Sequence, residues 1–553
     1  MCLVYPNTYY LGMSNLGVHT IYRLLNSLDN CVCERAFLPD DVDSYFDSNT
    51  LLTSLESQTP VRDFDVVAFS ISFEDDYFNL PTIFDLAQMP IRRSDRKEGS
   101  PLIIGGGASI SMNPEPLGDF FDAFFIGEAE GYGEEIIDTI DDSLSKQIPL
   151  NSEESLRELS KTTGIYVPSF YDFRYDGHKI REINVSEGID EKVHRAMIPY
   201  EKPFEVAQTV ILTPDTEFSN THLIEVERGC GEGCRFCPAG FLYLPPREHS
   251  LKPIQKSVDD AYCTTSKVGL VGAAVSEYTY VKEVLAMAAT PEGGGSSGPE
   301  GGHTKEKEMT LSSLRLEVVD EEMLDGLMKA GYKTVTMAPE AATLRLRQVV
   351  NKDITDEEIL KSISMIRDAG FLKIKLYFML GLPTETDEDI VAMAELAKLI
   401  KTTLGKGKVT LSVNPFVPKP FTPFQWHNFE NVEVLMKRFK ILENLLRKEK
   451  AIEVKKLTPT VAYTQAYLSL GDRRVGKIIE ESYEKGIRRA IKDNKETVDE
   501  VVYSRRVPDD VLPWDVIEHG LSRDYMWFDY NRSFESKVTP SCDVGSCFKC
   551  GVC

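Results

Sequence analysis

An α/β architecture with two parallel-sheet domains is the fold class the sequence predicts, on three observations. Over residues 1 to about 145, short apolar runs of strand length alternate with helical patterns, as in a parallel sheet with helices on both faces. From residue 221 to about 430 the alternation resumes in six strand and helix units of about thirty residues each, which fits a partial (β/α)6 barrel. A chain of 553 residues is also too long for one compact core. The expected order is a doubly wound domain at 1–145, a connector at 146–220, a barrel at 221–430 and a smaller mixed region at 431–553.

In the first domain the strand candidates are Met1 to Tyr5, Cys31 to Phe37, Val66 to Ser70, Leu102 to Ile104 and Ala123 to Ile126. Sheets of this kind bind ligands at the carboxyl ends of their strands. Those ends carry Pro6-Asn7, Ser70-Ile71-Ser72-Phe73-Glu74, Gly105-Gly106-Gly107 and Gly127-Glu128. The triple glycine permits close backbone approach to a ligand, and it is equally ordinary loop chemistry. In the connector, Gly164 to Pro168 and Phe170 to Tyr175 read as short strands, and Lys192 to Pro214 suits a covering segment.

The barrel opens with a strand, Leu223-Ile224-Glu225-Val226, that runs into Glu227-Arg228-Gly229-Cys230-Gly231-Glu232-Gly233-Cys234-Arg235-Phe236-Cys237-Pro238. Three cysteines at a Cys-x3-Cys-x2-Cys spacing on a glycine-rich loop can place three thiolates on three irons of a cubane cluster and leave one iron open. A structural zinc site is normally closed by four ligands. The later strands read as Val268 to Val275, Leu311 to Leu316, Thr334 to Met337, Lys373 to Met379 and Thr410 to Val413. Barrels keep their active sites at the carboxyl ends of the strands. That rule selects Ser276-Glu277, Arg315, Glu317, Pro339-Glu340, Gly381-Leu382-Pro383-Thr384 and Asn414 to Pro418. Between units, the glycine and serine density of Pro291 to Lys307 predicts a disordered surface insertion.

Apolar content of 42% and charged content of 27% belong to a soluble globular protein. Without an apolar run of membrane-spanning length or a signal-peptide pattern at the start, a cytoplasmic location without membrane contact is expected. Of eleven cysteines, seven fall into two tight clusters, at 230–237 and 542–553, which in a reducing compartment points to metal. A net charge of -25 disfavours wholesale nucleic-acid binding. The local exception runs from Lys437 to Lys456, where basic residues recur at helical spacing over an apolar stripe of Leu435, Phe439, Leu442 and Leu446. A solvated helix face is the simplest account of it.

At the cysteine loop the chain resembles the radical S-adenosylmethionine (radical SAM) superfamily, whose hallmark is this triplet. The resemblance implies that Cys230, Cys234 and Cys237 hold a 4Fe-4S cluster whose open iron chelates SAM, and that an electron from the cluster cleaves SAM to a 5′-deoxyadenosyl radical. It implies adenine contacts from Phe236 and from the Gly381-Leu382-Pro383 turn, with backbone amides at that turn. It also implies ribose contacts from Glu340 and a SAM-carboxylate partner in Arg345 or Arg347. Ser276 and Glu277, selected by strand position, are added to the expected cofactor-binding residues. Ala342-Thr343 stands where relatives often have Gly-Ser. The first domain resembles the cobalamin-binding domain that precedes many radical SAM domains, through Leu11 to Gly17, Glu34 to Pro39, Ser70 to Glu74 and Gly105-Gly106-Gly107 to Pro116. The Asp-x-His-x-x-Gly signature that gives cobalt a histidine in the mutase type is absent, and His19 is the domain's only histidine.

The chain ends in Cys542-x4-Cys547-x2-Cys550-x2-Cys553. Four thiolates close a metal site, and the spacing is nearer a ferredoxin run than a zinc knuckle, which favours an auxiliary 4Fe-4S cluster over zinc. Arg473 and Arg474 could hold an anionic substrate, beside Asp472 as a helix cap. The function expected is reductive cleavage of SAM to activate a substrate carbon-hydrogen bond, with methylation if cobalamin is bound and a flavodoxin or ferredoxin as electron donor. The alternative is an RNA-modifying enzyme of the same superfamily that uses the C-terminal module and basic segment for tRNA. Tyr243, Tyr278 and Tyr377 are candidate radical quenchers by position alone.

Overall fold

Val66-Val67-Ala68-Phe69-Ser70 is β-branched and aromatic and is buried along nearly its whole length, which is what a central parallel strand requires. The computed structural model describes residues 1–289, 307–312, 314–547 and 549–552. In it this segment (β3) lies between β1 (Cys2–Thr8) and β4 (Leu102–Gly106), parallel to both. With β2 (Glu34–Leu38), β5 (Ala123–Phe125) and β6 (Ile165–Tyr166) the sheet order is β2-β1-β3-β4-β5-β6. Only β6 runs antiparallel. The first domain is therefore doubly wound, with its strand order reversing beside β1. The sheet takes in residues 165–166, which the sequence pattern assigned to the connector, because a two-residue antiparallel edge strand needs no crossover helix and leaves no periodicity.

Two helices matter for the site. Helix α1 (Leu16–Asn26) is capped by Asn15, whose Oδ1 accepts the Gly17 and Val18 amides at 2.9 and 3.3 Å while its Nδ2 donates to Ser72 Oγ at 2.8 Å. Helix α2 is Gly133–Ser145. A hairpin of β7 (Tyr171–Asp176) and β8 (Lys179–Val185) follows the first sheet.

The second domain carries β9 (Thr221–Glu225), β10 (Lys267–Val271) and β11 (Glu308–Leu311), then β12 (Val335–Glu340), β13 (Lys373–Leu380), β14 (Lys408–Pro415) and β15 (Ile452–Lys456). They form sheets of three and four parallel strands joined by a parallel bridge between Leu314 and Met337. The sheet thus has a seventh strand and continues past residue 430. The basic segment read as one helix divides: α3 (Val432–Leu446) buries Leu435, Phe439, Leu442 and Leu446, and Lys455 and Lys456 lie on β15. The expected insertion lies outside the described residues up to position 306. The last helix is α4 (Arg523–Phe534). Among the described residues no helix is long and apolar enough to cross a membrane.

Candidate active site

The cysteine loop leaves β9 through Glu227–Arg228, which pairs with Arg247–Glu248. Gly229 has φ +85°, and a Cβ there would stand 2.3 Å from the Tyr243 carbonyl, so only glycine fits. Behind the loop, the Asn351 amide donates to the Glu232 and Gly233 carbonyls, each at 3.1 Å. Arg235, fully buried between two of the cysteines, clamps it further. Its guanidinium donates to both oxygens of Asp529 at 3.1 and 3.0 Å, to the Gln348 and Val349 carbonyls at 2.8 and 2.9 Å, and to the Lys537 carbonyl at 2.6 Å.

Burial, with lesser contributions from neighbouring thiolates and carboxylates, pushes Cys230 up to about 11 and Cys234 up to about 12, and burial raises Cys237 as well. Bare thiolates are poorly tolerated here, whereas cationic irons would stabilise them. The backbone amides of Ala239 and Gly240 favour the Cys237 thiolate. Among the described residues no three His, Cys, Asp or Glu side chains converge on one point as ligands of a single ion do. A cubane takes its thiolates onto separate irons, so this donor set fits a 4Fe-4S cluster.

The carboxyl ends of the barrel strands surround the loop with charge. Glu340 ends β12 at φ +65°, a strained value for a side-chain-bearing residue, and is half-buried beside Lys352. The Lys352 ammonium donates to the Ala338 carbonyl at 2.6 Å and to Glu340 Oε1 at 3.3 Å, and its charge acts on Cys234. Arg315 pairs with Glu232, Glu277 and Glu317 at 2.9, 3.1 and 2.8 Å, while its amide donates to buried Ser276 Oγ at 3.0 Å. Burial pushes Glu277 up to about 7, against the pull of Arg315. Phe236 is half-buried on the same loop.

Other expected positions have partners within the chain. Arg345 is bound to Asp389 at 2.6 Å and Thr384 at 2.7 Å, and buried Arg347 is used by the Ala342 carbonyl and Asp356. The Gly381 amide donates to Glu385 at 2.7 Å, and Pro383 is buried beside it, so that amide is not free for a base. Arg473 is spent on Glu115 at 2.9 and 3.1 Å, and Arg474 on Asp472 and the Gly177 and His178 carbonyls. Of the tyrosines, Tyr278 donates to the His249 carbonyl at 2.8 Å, Tyr377 accepts from Lys375 at 2.8 Å, and Tyr243 lines a cavity.

That cavity, of about 490 Å³, lies between the two domains. One wall is the sheet face carrying Leu3, Ala68, Ile104, Ser70 and Gly106, roofed by α1 and α2; the far end is formed by Glu225, Glu227, Arg228, Gly229 and Tyr243 next to the cysteine loop. Gly105 and Gly107 complete the glycine edge. A Cβ on Gly106 would meet nothing closer than 3.6 Å, whereas one on Gly107, at φ +115°, would stand 2.4 Å from the Ile71 carbonyl. Glu227, pushed up to about 7 by burial, accepts the Ala274 amide. The seam beside the cavity is held by Glu128, which takes Arg247 at 2.9 Å, and by Arg228, which pairs with Glu225 and Glu130 at 2.8 and 2.9 Å. The Phe204 ring lies 5.0 Å from Arg228, 5.3 Å from Arg247 and 4.1 Å from His249. His19 Nδ1 accepts the Val210 amide at 3.2 Å, so Nε2 carries the proton and donates to the Met13 carbonyl at 3.1 Å. Both nitrogens are engaged, and burial lowers the pKa.

After α4 the chain returns across the loop. The Thr539 amide donates to Asn351 at 2.7 Å, Ser541 to Glu232 at 3.1 Å, and the Cys542 amide to the Gly231 carbonyl at 2.6 Å. Cys547 is half-buried and Cys550 buried; Cys553 lies outside the described residues.

Two family models match the chain: radical SAM proteins, N-terminal, over residues 17–168, and the radical SAM superfamily over 224–397. Together they span more than half of it, and the chain belongs to the radical SAM superfamily. It is a radical SAM enzyme, of a family whose cofactors are a 4Fe-4S cluster and SAM. An uncharacterised protein of Methanocaldococcus jannaschii is 28% identical over 489 residues, 87% of this chain and 91% of that protein. The tRNA-2-methylthio-N(6)-dimethylallyladenosine synthase of Ruegeria sp. (strain TM1040) is 24% identical over 245 residues, 40% of this chain and 50% of that protein. Among solved structures, TsrM from Kitasatospora setae, described as a radical S-adenosylmethionine methyltransferase, aligns over 74% of this chain and 72% of its own at 14% identity and a TM-score of 0.43.

Sequence reasoning missed Lys352 and the Arg235 clamp. Lys352 sits twelve positions beyond Glu340 in no recognisable pattern, and only the fold returns it to the loop. Arg235 carried a signal, an arginine between metal-type cysteines, that could have marked it as a loop clamp.

Proposed function

We propose that this chain uses SAM cleavage at the cysteine loop together with a corrinoid in the interdomain cavity to methylate an unreactive carbon. The observation that carries the reading is the cavity, which runs from a glycine edge at the carboxyl ends of the first sheet to the mouth of the barrel. A corrinoid is a broad ring with a nucleotide arm. A slot between a sheet and two helices that opens onto a second site suits both parts. When bound, the cluster would supply the electron that cleaves SAM and the corrinoid a transferable methyl group.

The chain's own residues would do the rest. Cys230, Cys234 and Cys237 hold the cluster in place. Glu340, beside Lys352, meets the ribose hydroxyls, and Phe236 lies against the adenine. All four of Arg345, Arg347, Arg315 and Lys352 have carboxylate partners; Lys352 and Arg315, whose pairs lie beside the cysteine loop, would exchange theirs for the SAM carboxylate. The seam of Glu128, Arg228 and Arg247 excludes water between the two halves. With both nitrogens of His19 engaged, the corrinoid would bind without a histidine from this domain.

The test is anaerobic purification of the full chain with iron, sulfide and cobalamin, followed by visible absorption and a SAM-cleavage assay. The expected result is bound cobalamin and 5′-deoxyadenosine formed under reductant. A protein that cleaves SAM and leaves cobalamin in the flow-through would sink the corrinoid half of the reading and keep the radical half.

A further inference from the structure

We infer that Cys542, Cys547 and Cys550 hold a second iron-sulfur centre against the cysteine loop, and that electrons from a one-electron donor protein of the ferredoxin or flavodoxin class enter through it. This rests on the reading of Cys230, Cys234 and Cys237 as cluster ligands.

The tail is fixed to the immediate neighbours of those ligands. Gly231, next to Cys230, accepts the Cys542 amide at 2.6 Å, and a Cβ built on Gly231 would lie 3.5 Å from Cys542 Cβ. Arg235, next to Cys234, binds the Lys537 carbonyl at 2.6 Å and Asp529 on α4. Asn351 holds loop and tail together, donating to Gly233 and accepting the Thr539 amide. At the far end, the Cys550 carbonyl accepts the Ser522 amide at 2.7 Å. Loop and tail are thereby held to each other by partly buried hydrogen bonds and the buried Arg235–Asp529 ion pair, the arrangement a short, fixed electron path needs.

Access supports the direction of flow. Residues 543 to 546, between two of the tail cysteines, are exposed, while Cys550 is 8% exposed. One edge of the tail is thus open to solvent, where a donor protein could dock, and the other lies against the loop. The Cys-x2-Cys run of Cys547 and Cys550, with a fourth thiol three positions later in the sequence, is of the ferredoxin type. In each transfer one electron leaves the donor, is held at the tail and passes to the iron at Cys230, Cys234 and Cys237. The donor is oxidised by one electron and the tail returns to its starting state.

The experiment is anaerobic reconstitution of the full chain with iron and sulfide, read by iron and sulfide content, zinc analysis and low-temperature EPR with and without SAM. Wild type should hold about eight irons, and the double variant Cys547→Ser/Cys550→Ser about four with an EPR signal that responds to SAM. The reciprocal triple variant of Cys230, Cys234 and Cys237 to Ala should also hold about four, with a signal that ignores SAM. The ratio of SAM cleavage driven by reduced flavodoxin to that driven by dithionite should fall at least about tenfold in the double variant. The inference is overturned by zinc in the tail, by equal iron in wild type and double variant, by a triple variant without iron, or by an unchanged donor ratio. Wild type with about four irons, all lost in the triple variant, would overturn it and leave the loop reading standing; wild type without iron would overturn both.

Discussion

The two parallel sheets end in surfaces of opposite character. At the carboxyl edge of the first, Gly105-Gly106-Gly107, Ser70, Ser72 and the start of α1 form a largely apolar recess. At the carboxyl edge of the second, three cysteines, Glu232, Glu277, Glu317 and Glu340 crowd around Arg315 and Lys352. Both obey the rule that parallel sheets bind at that edge. The difference is that one edge offers shape and backbone while the other offers charge. A large preformed cofactor needs a hole with few demands, whereas a reaction that moves an electron needs charges fixed before the substrate arrives.

The sharpest way to break this contrast is to fill the recess. Gly106→Phe places a ring in space that the structure leaves open beside the first sheet, without the backbone clash that Gly107 would suffer. Cobalamin binding should be abolished in an absorption titration, with iron content at the wild-type level. Retained cobalamin would show that the recess serves something else.

The reciprocal change removes charge and leaves shape. Lys352→Met strands Glu340 without its partner beside the cluster loop, a loss that for buried pairs is worth about 3–5 kcal/mol. We expect SAM cleavage to fall about tenfold to a hundredfold at fixed SAM, with cobalamin binding intact and partial recovery in Lys352→Arg. Loss of cobalamin in Lys352→Met would contradict the division of labour between the two edges.

A milder perturbation acts on the seam that joins them. Burial and the nearby Arg228 and Arg247 push His249 down to about 4; burial, with Arg195, pushes His519, which bonds the Ser111 carbonyl at 2.8 Å, down to about 3. Groups whose folded pKa is depressed below the unfolded value near 6.5 are kept neutral by the fold. Their contribution is complete above pH 6.5 and is lost as pH falls toward 4 and 3. At pH 5, His249 alone should cost about 2 kcal/mol. Thermal melts at pH 7.5 and 5 should differ accordingly, and His249→Gln should narrow the gap.

What could be read from the sequence follows the range of the interactions. The cysteine loop stands out in the sequence because its three thiols lie within eight residues, and the strands of both sheets because apolar runs such as Val66 to Ser70 carry their own pattern. The ends of the tail and loop meet through Cys542 and Gly231, and Arg235 finds Asp529 nearly three hundred positions away; no local pattern encodes such pairs. The partner of Arg345 was hidden for a related reason. An arginine in the first turn of a helix looks free in sequence, and the structure pairs it with Asp389, more than forty positions on. Strand β15 was hidden because Ile452-Glu453-Val454 is too short to stand out among lysines that continue a helical spacing.

The smallest effect should come from the basic face of α3 and β15, and it bears on whether a third, nucleic-acid-binding surface must be added to the two edges. Lys437 is paired with Asp387 at 2.5 Å, Lys456 with Glu443, and Lys408 with Glu453 at 2.8 Å. These pairs are exposed and screened by solvent, so each adds little to stability, but they cancel charge that a phosphate backbone would otherwise meet. The remaining lysines must also act against a net charge of -25. Lys437→Ala with Lys456→Ala should therefore change stability by less than about 0.5 kcal/mol per site and leave total-tRNA gel shifts unaltered. A wild-type shift that weakens steeply with salt and disappears in the double variant would show instead that phosphate competes successfully for these lysines. The substrate would then have to be sought on RNA, with the C-terminal half of the chain as its platform.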